Sequence, residues 1–218
     1  VPLFMGMRLP LAAASEIPAT IDGQPPNGNY VVKLPVRGEG GRLEIKPALL
    51  SRSADVRVGY LPMTRENIIR QAFKLQGTRY GWGGSFRGVD CSSMIMEVYK
   101  TFGLLLPRNS GDQANKTVGQ AYSLPEGASL EERSRILEQA RVGAALWLPG
   151  HIMLYLGKVR GEHFVIHAFS GFRRVKDSGE EEIVRQQQVA VTPLSILVAD
   201  KPRTFLEHVR VIRQFDPN

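Results

Sequence analysis

The most informative stretch of this chain is Tyr80-Gly-Trp-Gly-Gly84, which Asp90-Cys-Ser-Ser93 follows after a short gap. Cys91 is the only cysteine in the protein. A single cysteine cannot form an intramolecular disulfide or a zinc site built from several thiolates. Cys91 is therefore either a buried structural thiol or a nucleophile, and its residue type alone leaves both interpretations open.

The residues that follow Cys91 predict a helix. Apolar side chains recur at helical spacing through residues 91–102, and Gly103 marks the expected end. Asp90 is a favoured N-cap residue, so Cys91 is predicted to lie in the first helical turn. The helix dipole and the unpaired backbone N–H groups there favour a thiolate, which is the nucleophilic form of cysteine.

Two of the four histidines are candidates for the base that a cysteine nucleophile requires. Residues 151–157 and 163–169 have strand-like composition and are joined by a mostly polar turn, which predicts an antiparallel hairpin. In that hairpin His151, near the start of one strand, lies close to His167, near the end of the next. His163 falls at the opposite end. His208 is expected at an exposed position of a terminal strand.

Together these motifs resemble the NlpC family of bacterial cell-wall cysteine peptidases. The similarity covers about residues 64–215 and also includes Leu106-Pro-Arg-Asn-Ser110 with Gln113, in the family's order. The resemblance implies an α+β fold with a papain-like core, in which helices pack on an antiparallel sheet. It implies no cofactor and no metal.

The resemblance also implies roles for the residues at the centre of the site. Cys91 would be the nucleophile, His151 the general base, and His167 the residue that orients His151. Tyr80 is expected near the thiol, where it and the backbone N–H of Cys91 would stabilise an oxyanion.

Further candidates are expected to contact the substrate; they are Asp90, Ser92, Ser110, Trp82 and Arg108. The resemblance implies that Asp90 and Ser110 hold a free substrate α-amine. From the residues alone, Asp90 could equally be a plain N-cap, Ser110 the cap of the next helix, and Trp82 a packing residue. Ser93 replaces the glycine of the family's usual Asp-Cys-Ser-Gly, a change that a helix tolerates.

Residues 15–62 differ in composition from the rest of the chain, with many glycines, prolines and short β-type runs. Residues 30–36 and 42–46 predict a hairpin with a glycine turn, and residues 56–62 predict a further strand. Several short strands without a long helix indicate a small β-barrel that resembles the bacterial SH3-like domains.

The predicted organisation is thus an SH3-like domain over residues 1–62 and a papain-like catalytic domain over residues 63–218. The second is expected to open with a helix capped by Thr64. Residues 114–142 are predicted to be an insertion with a charged helix that begins after Ser129, a solvated addition near the cleft.

The charge pattern bears on the partners. The net charge is +7 and the pI is near 9.8, but the basic residues are dispersed. No basic stretch is interleaved with aromatic residues, which argues against nucleic acid and favours acidic cell-wall material. The chain has no run of 18 apolar residues, so no membrane span is expected. Residues 1–14 do not resemble a secretory signal, because Arg8 and two prolines interrupt them.

The resemblance implies hydrolysis of the bond between γ-D-glutamate and the diamino acid of murein peptides, in fragments with a free N-terminal L-alanine. This substrate class would place the protein in the bacterial cell envelope. Two alternatives stay open: a wall-binding protein whose papain-like core does not catalyse, and a papain-like acyltransferase. The sequence does not distinguish diaminopimelate from lysine as the diamino acid, and it leaves the oligomeric state open.

Overall fold

The computed structural model describes residues 2–215, which divide into two compact units with the boundary between Tyr60 and Leu61. The first unit contains one antiparallel pair of strands, β1 (Asn29–Arg37) and β2 (Leu43–Ser51). A 3-10 turn over Glu39–Gly41 joins them, and Gly40 adopts a φ of 62° there. The predicted hairpin is thus confirmed, with longer strands than expected.

The further strand predicted over residues 56–62 is wrong. These residues form no strand, and Gly59 within them has a φ of 78°, which an extended strand does not accommodate. Within the described part of this unit, β1 and β2 form the only sheet. The SH3-like domain therefore stays a prediction.

In its described residues, the second unit combines five α-helices with one antiparallel sheet, as expected for the α+β class. Its described helices are α1 (Arg65–Lys74), α2 (Cys91–Lys100), α3 (Ser110–Asn115), α4 (Leu130–Leu137) and α5 (Phe205–His208). Its described strands are β3 (Gln120–Ser123), β4 (Ala145–Leu148), β5 (His151–Val159), β6 (Glu162–Val175), β7 (Glu181–Pro193), β8 (Leu197–Val198) and β9 (Val211–Gln214). The strand order is β3-β9-β4-β5-β6-β7, and β8 pairs with β6.

Helix α2 packs one apolar face into this unit. Met94, Ile95 and Val98 have no exposed surface, and the helix lies against β5 and β6. On the sheet, fully buried side chains such as Met153 and Val165 continue the core. Burying this apolar surface is the main force that fixes the start of α2 against the start of β5.

Helix α1 begins where the sequence predicts. Thr64 is its N-cap, and its hydroxyl accepts a hydrogen bond from the backbone N–H of Asn67 at 3.2 Å. The helix ends at Lys74, and Gly77 follows with a φ of 80°. Within residues 2–215, none of the helices is long and apolar enough to cross a membrane.

The segment 114–142 is more than the solvated addition that the sequence predicts. Its helix does begin after Ser129, but Leu137 is fully buried and Arg133 is 1% exposed. The Arg133 guanidinium donates to several backbone carbonyls; they belong to Pro125, Glu126, Ala128, Leu206 and Val209. This segment also supplies β3, which pairs with β9. The hydrogen bonds of Arg133 therefore anchor the segment in the fold.

His208 does not lie on a terminal strand, as the sequence analysis predicted. It ends the short helix α5, and the last strand begins at Val211. The cause is a capping box: Thr204 Oγ1 accepts from Glu207 N at 3.3 Å, and Glu207 Oε2 accepts from Thr204 N at 2.8 Å.

Candidate active site

Cys91 is the first residue of α2, as predicted from its sequence context. Asp90 is the N-cap: its Oδ1 accepts from the backbone N–H of Ser93 at 2.9 Å, and Ser93 Oγ accepts from the backbone N–H of Asp90 at 2.8 Å. This capping box satisfies two donors at the helix start and fixes the backbone of Cys91. The serine that replaces the family's glycine therefore has a local structural role.

The thiol of Cys91 lies partly buried against the first residues of β5. Burial raises its pKa; a hydrogen bond from the backbone N–H of Ile152 lowers it, and the nearby charge of Asp90 raises it. The net pKa lies above the ordinary value of cysteine. Burial thus outweighs the helix-terminal effect that the sequence analysis invoked, and the resting side chain is a neutral thiol that needs a base.

His151 and His167 form one hydrogen-bonded chain with a third residue. His151 Nε2 lies 2.8 Å from His167 Nδ1, and His167 Nε2 lies 2.9 Å from Thr192 Oγ1. His167 is fully buried and stacks on Phe169, with ring centroids 3.9 Å apart and an interplanar angle of 9°. Phe205 meets the rings of both histidines edge-on or tilted. These contacts hold the two imidazoles in fixed orientations.

Both imidazoles are neutral at pH 7. Burial lowers the pKa of His151 to about 4, and the nearby ammonium of Lys201 contributes to this. Burial also places the pKa of His167 well below its usual range, with a smaller effect from His151. A neutral His151 has one nitrogen lone pair that can accept a proton.

The two hydrogen bonds link the tautomers of the two imidazoles. Because His151 Nε2 faces His167, Nδ1 is the nitrogen of His151 that remains to accept a proton. It does so only if Nε2 carries the hydrogen and donates it to His167 Nδ1. His167 then carries its hydrogen on Nε2 and donates to Thr192 Oγ1. In this arrangement Thr192, which was not predicted from the sequence, accepts the hydrogen bond at the end of the chain.

Asp90 lies at the centre of a second, polar group. Arg108 donates to both carboxylate oxygens, and through Nη1 also to Ser92 Oγ at 2.8 Å. Ser92 Oγ and the backbone N–H of Gly83 each donate to the carboxylate at 3.1 Å. Burial raises the pKa of Asp90, but the bonds from Arg108 and Ser93 outweigh it, so the net pKa lies below the usual range.

These contacts saturate the Asp90 carboxylate. Two oxygens offer about four lone-pair positions, and the donors are Ser92 Oγ, Ser93 N, Gly83 N and both Nη atoms of Arg108. An incoming substrate ammonium would have to displace one of them. Arg108 is the donor with the most freedom to leave, because its side chain is exposed, whereas Asp90 itself is only 6% exposed.

Ser110 does not cap α3. The N-cap is Asn109, whose side-chain oxygen accepts from the backbone N–H of Gly111 at 2.8 Å, and Ser110 is the first helical residue. Gln113, fully buried in α3, donates to the backbone carbonyl of Ser92 at 3.0 Å. The amide of Gln113 thus fixes α3 against the first turn of α2. The amine role of Ser110 stays a prediction.

Tyr80 lies close to the thiol. Its backbone N–H donates to the carbonyl of Gln187 at 2.9 Å, which connects it to β7. Burial raises the pKa of Tyr80, and the charges of Cys91 and Asp90 add to this effect. Its phenol is therefore protonated and able to donate a hydrogen bond.

Trp82 is not a packing residue, because 77% of its surface is exposed. Phe86, which the sequence analysis did not single out, is 86% exposed and has a φ of 55°. Both belong to the irregular 3-10 segment Trp82–Arg87, which precedes the thiol. Both rings expose apolar surface in the segment that bonds Asp90 through the backbone N–H of Gly83.

His163 is outside the site, as predicted. It is buried, and its ring nitrogens bond to the hydroxyls of Ser134 at 2.9 Å and Tyr155 at 2.8 Å. These bonds join α4 to the sheet. Among the residues that the structure describes, no group of three or more histidine, cysteine or acidic side chains is arranged to hold a metal ion.

Comparison with known proteins gives the same assignment as the motifs. The NlpC/P60 family model matches residues 77–192, more than half of the chain. A curated relative named dipeptidyl-peptidase 6, from Lysinibacillus sphaericus, is 28% identical over 135 residues, which are 61% of this chain and 43% of that protein. Another, named gamma-D-glutamyl-L-lysine dipeptidyl-peptidase, from Bacillus subtilis, is 40% identical over 57 residues, 26% of this chain and 19% of that protein.

Two solved structures are similar in fold. An NlpC/P60 endopeptidase from Photobacterium damselae superposes with a TM-score of 0.60 at 26% identity, over 78% of this chain and 40% of that one. An NlpC/P60 family protein from Bacillus cereus gives a TM-score of 0.52 at 19% identity, over 97% of this chain and 54% of that one. The papain-like α+β fold is thereby confirmed.

The chain spans less than half the length of the two curated relatives it matches. The similarity nevertheless includes the segments that carry Cys91, His151 and His167, since all three lie within the matched residues 77–192. The fold, the order of the motifs and the family model agree, and the chain belongs to the NlpC/P60 family of peptidases.

Proposed function

We propose that this chain is a cysteine peptidase that hydrolyses the bond between γ-D-glutamate and the diamino acid of murein peptides. The observation that carries the proposal is the placement of the Cys91 thiol against β5, at the residue after His151, with the chain His151–His167–Thr192 behind it. Membership of a peptidase family supports the reaction type, and the names of the two curated relatives support the substrate class.

The reaction follows from the assigned tautomers. Cys91 Sγ attacks the γ-carbonyl carbon while His151 Nδ1 takes the thiol proton, so that a C–S bond forms as the carbonyl oxygen becomes an oxyanion. The backbone N–H of Cys91 and the phenol of Tyr80 would stabilise that oxyanion. His151 then gives the proton to the leaving amine, the C–N bond breaks, and water hydrolyses the thioester.

The pKa directions favour a neutral resting pair. A thiol with a raised pKa and an imidazole with a lowered pKa do not exchange the proton before the substrate arrives. The proton transfer would therefore accompany the attack on the carbonyl. His167 and Thr192 act by keeping the Nδ1 lone pair of His151 available for that transfer.

The proposal includes recognition of a free N-terminal L-alanine by Asp90 and Ser110. Its support is the family resemblance and the buried, ionised carboxylate of Asp90. Because that carboxylate is saturated, we expect the substrate ammonium to replace Arg108 when the peptide binds. Action on murein peptides would place the protein in the bacterial cell envelope.

The test is mass spectrometry of L-Ala-γ-D-Glu-diaminopimelate after incubation with the protein, with the N-acetylated peptide in parallel. Release of L-Ala-γ-D-Glu from the free-amine peptide alone, abolished in Cys91→Ala, is the expected result. Cleavage of both peptides would contradict the amine recognition and keep the peptidase. Cleavage of neither would favour the wall-binding or acyltransferase alternative.

A further inference from the structure

Lys201 is a cation beside the candidate base, and the mechanism above does not use it. Its Nζ donates to the carbonyl of Pro149 at 3.3 Å, in the turn directly before His151. Its charge contributes to the lowered pKa of His151. In the described part of the chain, no ion pair includes Lys201, whereas the neighbouring cation Arg173 is paired with Glu181 at 3.0 Å. A single long bond leaves donors of the ammonium available to a ligand.

The backbone that carries Lys201 is held in place. Arg173 Nη2 donates to the carbonyl of Lys201 at 2.9 Å and to that of Ala199 at 3.5 Å. The backbone N–H of Val198 donates to the carbonyl of Arg203 at 3.0 Å and closes the turn. Because Arg173 belongs to β6, the ammonium is presented from a turn that is fixed to the central sheet. A preorganised donor loses less entropy on binding than a mobile one.

The chemistry of the proposed reaction decides which end of the substrate lies near Lys201. His151 must be close to the leaving nitrogen in order to protonate it. The leaving residue therefore lies on the His151 side of the thiol. The acyl portion lies on the side of Asp90 and Arg108.

We propose that Lys201 binds a carboxylate of the leaving diamino acid. This proposal rests on the proposed function and names the part of the substrate that Lys201 would recognise. A diamino acid at the end of the peptide carries an α-carboxylate next to the leaving nitrogen. Diaminopimelate carries a second carboxylate on its side chain, whereas lysine carries an ammonium there. Binding the first would favour short, unbranched fragments, and binding the second would favour diaminopimelate over lysine.

The experiment measures binding in the Cys91→Ala background by calorimetry. The ligands are L-Ala-γ-D-Glu-diaminopimelate, the same peptide with its C-terminal α-carboxylate amidated, and L-Ala-γ-D-Glu-L-Lys. Each is titrated into the protein with Lys201, Lys201→Met or Lys201→Arg. The matched control is Lys158→Met, since Lys158 lies near the other end of β5 and pairs with Glu138.

We expect Lys201→Met to weaken binding about tenfold, or about 1.4 kcal/mol, for peptides that carry the recognised carboxylate, and Lys201→Arg to retain it. An effect on both peptides with a free α-carboxylate, but not on the amide, identifies the α-carboxylate. An effect on both diaminopimelate peptides, but not on the lysine peptide, identifies the side chain. Equal changes in Lys201→Met and Lys158→Met, or no change in either, would overturn the proposal.

Turnover of the same peptides with Cys91 intact separates this inference from the proposed function. If binding depends on Lys201 but no peptide is cleaved, the proposed peptidase activity is contradicted and the carboxylate site is supported. If the peptides are cleaved but binding does not depend on Lys201, the peptidase activity is supported and the carboxylate site is contradicted. Absence of binding to all three peptides would overturn the role of Lys201 outright.

Discussion

Replacing Thr192 by valine tests whether the orientation of the His151 imidazole, the proposed base, depends on this hydroxyl. Valine has nearly the same shape as threonine, so the packing around His167 is retained. The hydroxyl that lies 2.9 Å from His167 Nε2 is lost. Two outcomes are then possible for His167. Its Nε2–H stays buried without a partner, or the hydrogen moves from Nε2 to Nδ1. In the second outcome His167 Nδ1–H faces His151 Nε2–H at 2.8 Å, and two donors cannot bond to each other. The conflict is relieved only if the hydrogen of His151 also moves to its Nδ1. In that tautomer His151 can no longer accept the thiol proton.

The size of the effect follows from the cost of the lost bond. A buried donor without a partner costs about 1–3 kcal/mol. If that cost is expressed in the population of the productive tautomer, kcat falls by about 5- to 150-fold, at about 1.4 kcal/mol for each factor of ten. KM should change little, because Thr192 is 6% exposed and bonds to His167 rather than to substrate.

The assay is steady-state hydrolysis of L-Ala-γ-D-Glu-diaminopimelate at pH 7, with thermal unfolding recorded to confirm that the variant is folded at the assay temperature. Thr192→Ser is the matched control, since it keeps the hydroxyl and removes only a methyl group, and it should stay within a few-fold of the parent kcat. A folded Thr192→Val enzyme with an unchanged kcat would refute the tautomer argument. Equal losses in both variants would show that packing matters and the hydroxyl does not.

Four further predictions concern Arg133, His151 and Arg108. Arg133→Leu should lower the free energy of unfolding by about 3 kcal/mol or more in urea denaturation, because the buried carbonyls that bond the guanidinium lose their donor; a change below about 0.5 kcal/mol would contradict this. The acid limb of the kcat/KM profile should lie near pH 4 rather than 6.5, because protonated His151 cannot act as a base. Stability should decline as the pH falls from 6.5 toward 4, since the unfolded chain binds that proton first; a flat unfolding profile over that range would oppose this. Arg108→Ala should increase the preference for the free-amine over the N-acetylated peptide, because acceptor positions on Asp90 become open; an unchanged ratio of kcat/KM would argue that Asp90 does not bind the amine.

Local signals in the sequence were sufficient for the main elements of the site. Asp90 and the apolar spacing after it predicted the start of α2, and the run from 151 to 169 predicted the hairpin that joins the two histidines. Both signals are short-range, so they survive in any fold that buries the apolar faces. The strand predicted over residues 56–62 rested on residue composition alone. In the structure the positive φ of Gly59 interrupts the extended backbone there.

The saturation of Asp90 could not be predicted in the same way. Its partner Arg108 is 18 residues away and lies beyond the end of α2. The resemblance placed both residues near the substrate, but no spacing rule pairs them. The same holds for the thiol: a helix-start argument predicts a lowered pKa, whereas the tertiary burial that raises it depends on how closely β5 packs against α2.

Thr192 shows most clearly why sequence alone falls short. From the turn end of the β6–β7 hairpin the register runs from Val175↔Glu181 to Gly171↔Arg185, and it shifts by one residue before Phe169↔Gln188. Continued without that shift, the register would set Val189 opposite His167, where the structure has Ala190. A shift of one residue moves every side chain to the other face of a strand. Thr192 can therefore bond to His167 only because of the bulge.

The same bulge also contacts the backbone of Tyr80. Gln187 lies in it with a φ of 49°, a conformation that costs a non-glycine residue free energy, and its carbonyl accepts the backbone N–H of Tyr80 at 2.9 Å. One irregularity in β7 thus sets the face of Thr192 and the position of Tyr80 together. Strained backbone is retained where the surrounding structure requires it. We infer that this one bulge positions both the residue that bonds the His151–His167 pair and the residue expected beside the reacting carbonyl in the proposed mechanism.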